Sequence, residues 1–269
     1  MNVFILVKTY PTLSRKYDEL VCTAGITEDG KWVRIYPLPF RKLDYDKRYR
    51  KYQWLDIPLE RNYEDIRPES HRPTSLDNME VGNFVSDWNE RQRIFLQSTP
   101  VYTNLTELIG KAKNLELSLA IFKPTEILDF VIEDTERDWP KDKLDRLEGK
   151  SKQLTFFQTA EEIKQQFSIV EKIPYKFSYR FRDDNGRTSK LMIEDWEIGM
   201  LYLNCRSTSK SEHEALQKVK QKYFGDFLKR KIYLFLGTTK EFHSRAPNPF
   251  VIVGVSCPPP ERQNFLFSF

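Results

Sequence analysis

Apolar positions fall in short runs separated by polar breaks, the pattern of a strand-rich chain. Val3–Val7 is a continuous β-prone run. Thr9–Tyr17 is polar, contains Pro11, and predicts a loop. Glu19–Ile26 predicts a second strand, and Glu28-Asp29-Gly30 supplies the turn after it, since glycine accepts a positive φ without steric cost. Trp32–Tyr36 alternates, with Trp32, Arg34 and Tyr36 on one face and Val33 and Ile35 on the other. Pro37 and Pro39 are expected to end that strand, and Gln53–Leu59 predicts another, so this region reads as a small meander. Arg61–Asn78 predicts a loop, Val81–Gln97 a mixed helical segment, and Asn104–Lys113 a helix capped by Thr103. Ser118–Phe122 and Glu126–Glu133 predict strands around Lys123-Pro124.

The segment 134–158 is dense in charge, contains Pro140 and Gly149, and predicts a junction, although Leu144 and Leu147 also suit a short helix. Thr159–Phe167 predicts a helix with a capping box from Thr159 and Glu162. Tyr175–Asp184 and Thr188–Glu194 predict two strands joined through Asn185-Gly186. Glu212–Leu228 predicts a helix, and Ile232–Leu236 and Pro249–Val255 predict closing strands. The fold expected is α+β: a β-rich domain over 1–133, a charged junction over 134–158, and an α+β domain over 159–269. Both domains would be small and barrel-like, with helical insertions.

Composition narrows this only a little. The chain has 269 residues, 39% hydrophobic and 30% charged, with a net charge of +4. It can bury a core without staples. The mild positive balance is compatible with a polyanionic partner without demanding one. Three cysteines without a CxxC pair argue against a disulfide framework or a cysteine-rich zinc site and point to a reducing compartment, the cytoplasm. The N-terminal run reads as a strand, and no apolar run approaches bilayer-spanning length, so no membrane association is expected. No metal and no cofactor is called for.

Four segments carry candidate chemistry. Trp32, Arg34 and Tyr36, with Arg41, Lys42, Arg48, Arg50 and Lys51, interleave basic and aromatic residues, as a surface that meets phosphates and stacks on bases would. The same residues suit a solvated loop beside a strand whose Trp32 face is core. Asp195, Trp196 and Glu197 form the second segment. They either cap a helix, where the dipole favours negative charge, or supply an acid and a base. Gly237-Thr238-Thr239-Lys240 follows a strand and offers an anion site through Thr239 and Lys240, without the glycine spacing of a P-loop. His243 is a candidate general base, although a lone loop histidine also serves as a hydrogen-bonding residue. Lastly, Lys218, Lys220, Lys222, Lys229 and Arg230 alternate with apolar residues along the basic segment Lys210–Lys231, expected to be helical. They form either a solvated face or a phosphate-binding ridge.

The strings Tyr175-Lys176-Phe177-Ser178-Tyr179, Ile193-Glu194-Asp195-Trp196-Glu197, Phe235-Leu236-Gly237-Thr238-Thr239 and Phe250-Val251-Ile252-Val253-Gly254 resemble a group of prokaryotic proteins of unassigned function. Cys22-Thr23-Ala24-Gly25 followed by Gly30-Lys31-Trp32-Val33-Arg34 is similar to the opening of bacterial dual-OB-domain proteins. That second resemblance implies small OB barrels, a fold used for single-stranded nucleic acid. The leading expectation is a nucleic-acid-binding module. Its setting, a prokaryotic antiviral defence assembly, is implied by the resemblance alone. A phosphodiester-cleaving enzyme using Asp195, Glu197 and His243 is the alternative, and a non-catalytic subunit that binds protein partners is the third reading.

Overall fold

The computed structural model describes residues 1–14, 18–141 and 170–259. Most of the 134–158 junction and the Thr159–Phe167 helix therefore lie outside the described residues. Within them the protein is strand-rich α+β, with a curled half-barrel sheet and a few helices. Three sheets form. The first contains β1 (Asn2–Lys8), β3 (Asp18–Ile26), β4 (Trp32–Leu38), β5 (Gln53–Asp56), β6 (Leu59–Arg61), β7 (Ser70–Pro73) and β8 (Glu80–Phe84), in the order β6-β7-β4-β3-β1-β5-β8, with β2 (Thr12–Ser14) paired to β3. The second runs β15-β14-β10-β9, formed by Phe250–Ser256, Tyr233–Thr238, Leu119–Phe122 and Val101–Tyr102. The third is β11-β12-β13, formed by Glu126–Asp134, Tyr175–Arg182 and Thr188–Met192.

The expected meander is not the order found. β1 lies between β3 and β5, because its apolar run has two faces to bury. Val3 and Ile5 join Val33, Ile35 and Leu55 inside the curl of the first sheet. Phe4 and Leu6 point the other way, onto Leu119, Ile121, Phe235 and Val253 of the second sheet. A strand buried on both faces must read as an unbroken apolar run. The second sheet is likewise buried twice. Ala120, Phe122, Leu234 and Leu236 turn away from the first sheet and meet Phe130, Phe177, Tyr179 and Phe181 of the third. Each large side chain fully buried there stabilises the fold by about 1.5–3 kcal/mol.

Four α-helices are described. α1 (Trp88–Ser98) and α2 (Leu105–Lys113) are capped by Asp87 and Asn104, which accept from the N–H groups of Glu90 and Glu107. Asn104, rather than Thr103, takes the cap; Thr103 Oγ1 instead donates to Asp184. α3 (Trp196–Thr208) starts at Asp195, and α4 (Glu212–Lys220) at Ser211. The long helix expected over Glu212–Leu228 stops being α-helical at Lys220 and continues as a π-turn over Gln221–Asp226 and a 3-10 turn. That widening seats Tyr223 in the core, where the Tyr179 hydroxyl donates to its carbonyl at 2.6 Å.

Gly25 marks the closest approach of β3 to β1. A Cβ there would stand 2.2 Å from the Phe4 carbonyl oxygen. Gly25→Ala should therefore cost about 1–3 kcal/mol through forced separation of the two strands. A denaturant midpoint unchanged from the parent protein would refute that.

A candidate anion-binding cleft where the three sheets meet

The residues singled out in the sequence go to three different places. The first is a buried clasp. Lys51, expected at a basic surface, has a side chain only 6% exposed. Its ammonium donates to Glu197 at 2.9 Å, to the Val255 carbonyl at 2.8 Å and to Asp195 at 3.4 Å. Asp195 also accepts from the N–H groups of Val255 and Glu197, the latter being its helix cap. Burial pushes Asp195 up to about 6, against the pull of Lys51. Burial alone would lower Lys51, but the two carboxylates outweigh it and hold the ammonium charged. Asp195 is thus a cap and a counter-ion.

The second place is a buried polar network between the first and second sheets. Arg34 donates through Nη2 to the Ser118 carbonyl (3.2 Å) and hydroxyl (3.1 Å), and through Nη1 to Cys22 Sγ (3.3 Å). Glu69 closes the loop by accepting from Ser118 Oγ (2.6 Å) and Ser118 N–H (2.7 Å). Arg67 forms a forked pair with Asp65 and sends Nη1 to the Thr238 carbonyl at 2.7 Å. Burial opposes ionisation of Asp65, yet the hydrogen bonds and charge of Arg67 hold it well below the usual carboxylate range. His243, fully buried, shares a 2.8 Å hydrogen bond with Thr238 Oγ1. Burial and the Arg67 guanidinium lower its pKa.

The third place is a cleft of about 770 Å3 at the meeting of the three sheets. Arg34, Tyr36, Thr239 and Lys240, distant in sequence, all line it. Arg67 and Thr238 lie beside them, and Tyr10, Trp139 and Tyr175 add aromatic rings. Lys176 and Lys240 are exposed and without a partner among the described residues. Glu194 lines the same cleft. Its backbone is extended between the bridges at Ile193 and Asp195, so its side chain points opposite to Asp195. Among the described residues its carboxylate makes no hydrogen bond or ion pair, and burial raises its pKa. No sequence motif marked Glu194; only its parity against Asp195 carried a signal.

The remaining expectations separate. Asp195 lines the cleft, whereas Glu197 and His243 do not, so the three do not meet in this cleft. Trp32 packs edge-on against Phe235 in the core. Arg48 donates to the carbonyls of Leu43 and Arg41 and shapes its own loop. Arg50 stacks over Phe84 at 5.0 Å, and Arg41 and Lys42 lie on the loop outside the cleft. On the fourth segment, Lys218 and Lys222 pair with Glu214 and Asp226 on their own face. No three His, Cys, Asp or Glu residues cluster as a metal site among the described residues. No described helix is long and apolar enough to cross a membrane.

The comparisons divide the chain at the same place as the first sheet and the rest. Residues 101–268 match the domain of unknown function DUF8757. The chain belongs to that family. Residues 1–97 match a second domain of unknown function, DUF8758. No curated protein matches the chain. Among solved structures, one described as a murine DNA-binding protein bound with double-stranded DNA aligns over 96% of this chain and 90% of that one, at 15% identity and a TM-score of 0.30.

Two expected outcomes follow from the buried groups. Lys51→Met leaves Asp195 as an uncompensated buried carboxylate and should cost about 3–5 kcal/mol. Adding Asp195→Asn, which removes the buried charge and keeps an acceptor for one of the Val255 and Glu197 N–H groups, should recover part of it. Denaturant unfolding of both variants checks this. His243 is held neutral, so its contribution is complete above pH 6.5 and lost as pH falls through its lowered folded pKa. Thermal midpoints should therefore fall as pH drops from neutrality towards 5, and less steeply in His243→Gln. Parallel slopes for the two proteins would refute the assignment.

Proposed function

We propose that the protein binds a single nucleic-acid strand through the cleft. The observation that carries this is the convergence of Arg34, Arg67, Lys176, Lys240 and three aromatic rings on one concavity. Guanidinium and ammonium groups complement phosphates, and rings provide faces on which any base can stack. At about 770 Å3 the cleft lies within the usual range for bound small ligands. It has room for a nucleotide or two and not for a duplex.

The two kinds of cation have different roles in this reading. Arg34 and Arg67 are fixed by Ser118, Asp65 and Thr238, so their positions are set before a ligand arrives. Preorganised groups lose little entropy on binding. Lys176 and Lys240 are exposed, have no partner among the described residues, and supply the salt-dependent attraction. The basic loop around Arg41–Lys51 takes no part, because none of its residues lines the cleft.

Fluorescence anisotropy with a short labelled single strand tests the proposal. Affinity should fall with salt, and Lys176→Ala and Lys240→Ala should each reduce the logarithmic salt slope by about 0.7. Absence of binding at low salt, or binding indifferent to salt, overturns it.

A further inference from the structure

Phosphate and stacking contacts account for the cations and rings of the cleft and leave one group unexplained. Of the four acids that line the cleft among the described residues, Asp195 is held by Lys51, Glu136 lies 3.8 Å from Lys172 and Asp134 is exposed to water, whereas Glu194 holds a half-buried carboxylate without a partner among the described residues. Its charge weakens phosphate binding, and its burial carries a desolvation cost with no hydrogen bond among the described residues to offset it. Such a group is expected to meet its partner in the ligand, and that partner must be a donor.

We infer that Glu194 reads the base, and that the strand this cleft selects is one that places a guanine there. This rests on the single-strand reading above and names its specificity. An ionised carboxylate offers two acceptor oxygens and no donor. On the edge used for base pairing, guanine presents N1–H and N2–H as adjacent donors, which match the two oxygens as a fork. Adenine and cytosine place an acceptor nitrogen beside their amino group. Thymine flanks its single N–H with two carbonyls. Each of those sets a lone pair against the carboxylate, so guanine alone is accommodated without repulsion. Bases held outside a duplex are read on this edge, often with a ring stacked on a side chain.

The local architecture suits the task. The Glu194 backbone is pinned on both sides, its N–H to the Ile252 carbonyl at 2.8 Å and its carbonyl to the Tyr10 N–H at 2.9 Å. Tyr10, its neighbour across that bond, also lines the cleft. Asp195, one residue on, is locked into the Lys51 clasp. The Glu194 side chain is therefore carried on a rigid stem while itself uncommitted, the arrangement expected of a reading residue.

The experiment compares thymine tracts with and without one central guanine, adenine or cytosine, using the intact protein and Glu194→Gln. Gln replaces one acceptor with a donor, touches no hydrogen bond among the described residues and removes the cost of burying a charge, so the thermal midpoint should not fall. The guanine-bearing strand should bind the parent protein about 10-fold more tightly than the others, and Glu194→Gln should erase that preference. Equal binding of all strands, or a guanine preference that survives Glu194→Gln, overturns this inference and leaves the single-strand reading standing. Failure to bind any strand overturns both.

Discussion

The ammonium of Lys51 holds together parts of the chain that are far apart in sequence. It leaves the first sheet, enters the region where α3 begins, and bonds both the Asp195 carboxylate and the Val255 carbonyl. With so little exposure, none of these groups can fall back on water if the contact breaks. The cost of burying the charges has already been met in the folded state, so removing one partner costs more than the pair contributes net. The start of α3, the end of β15 and the Glu194 stem are all referenced to this one nitrogen.

A second desolvated network plays the matching role on the other side of the cleft. Arg34, Glu69 and Ser118 bind one another, while Asp65, Arg67, Thr238 and His243 form a parallel chain. Both cross from the segment 1–97 to the segment 101–268. Between them the second sheet packs through Phe235, Leu119 and Ile121 against Phe4 and Leu6. The apolar layer supplies the bulk of the attraction. The polar networks fix which positions meet, because each donor there must find its own acceptor. The cleft is the space left beside these fixed contacts, and its cations are the outer members of the networks. The same groups therefore set the shape of the site and its charge.

Much of the strand layout was legible in the sequence. The runs at Val3–Val7, Glu19–Ile26, Trp32–Tyr36 and Tyr175–Asp184 each correspond to a strand, and Asp195 does cap a helix. Several short strands escaped notice, β9 at Val101–Tyr102 among them. β2 and β7 fall in segments read as loops, and β8 in one read as helical. Strands of three to five residues are too short to show a period. β4 also runs through Pro37 to Leu38, since it pairs with β7 only at Arg34 and Ile35 and asks no N–H of the proline. Trp32, Arg34 and Tyr36 do share a face, but that face is turned inward onto the second sheet rather than outward to solvent.

Sequence by itself determined the α+β character, the strand-rich layout and the mild positive charge, because periodicity and composition are local properties that a window of residues contains. It could not determine which cations are structural and which are free. Lys51 and Lys240 look alike in the chain, yet one is sealed against Asp195 and the other stands at the cleft. That distinction depends on contacts across 144 and 204 residues of separation. Only the stacking of the three sheets decided it, and with it the place of Glu194 on the lining of the cleft.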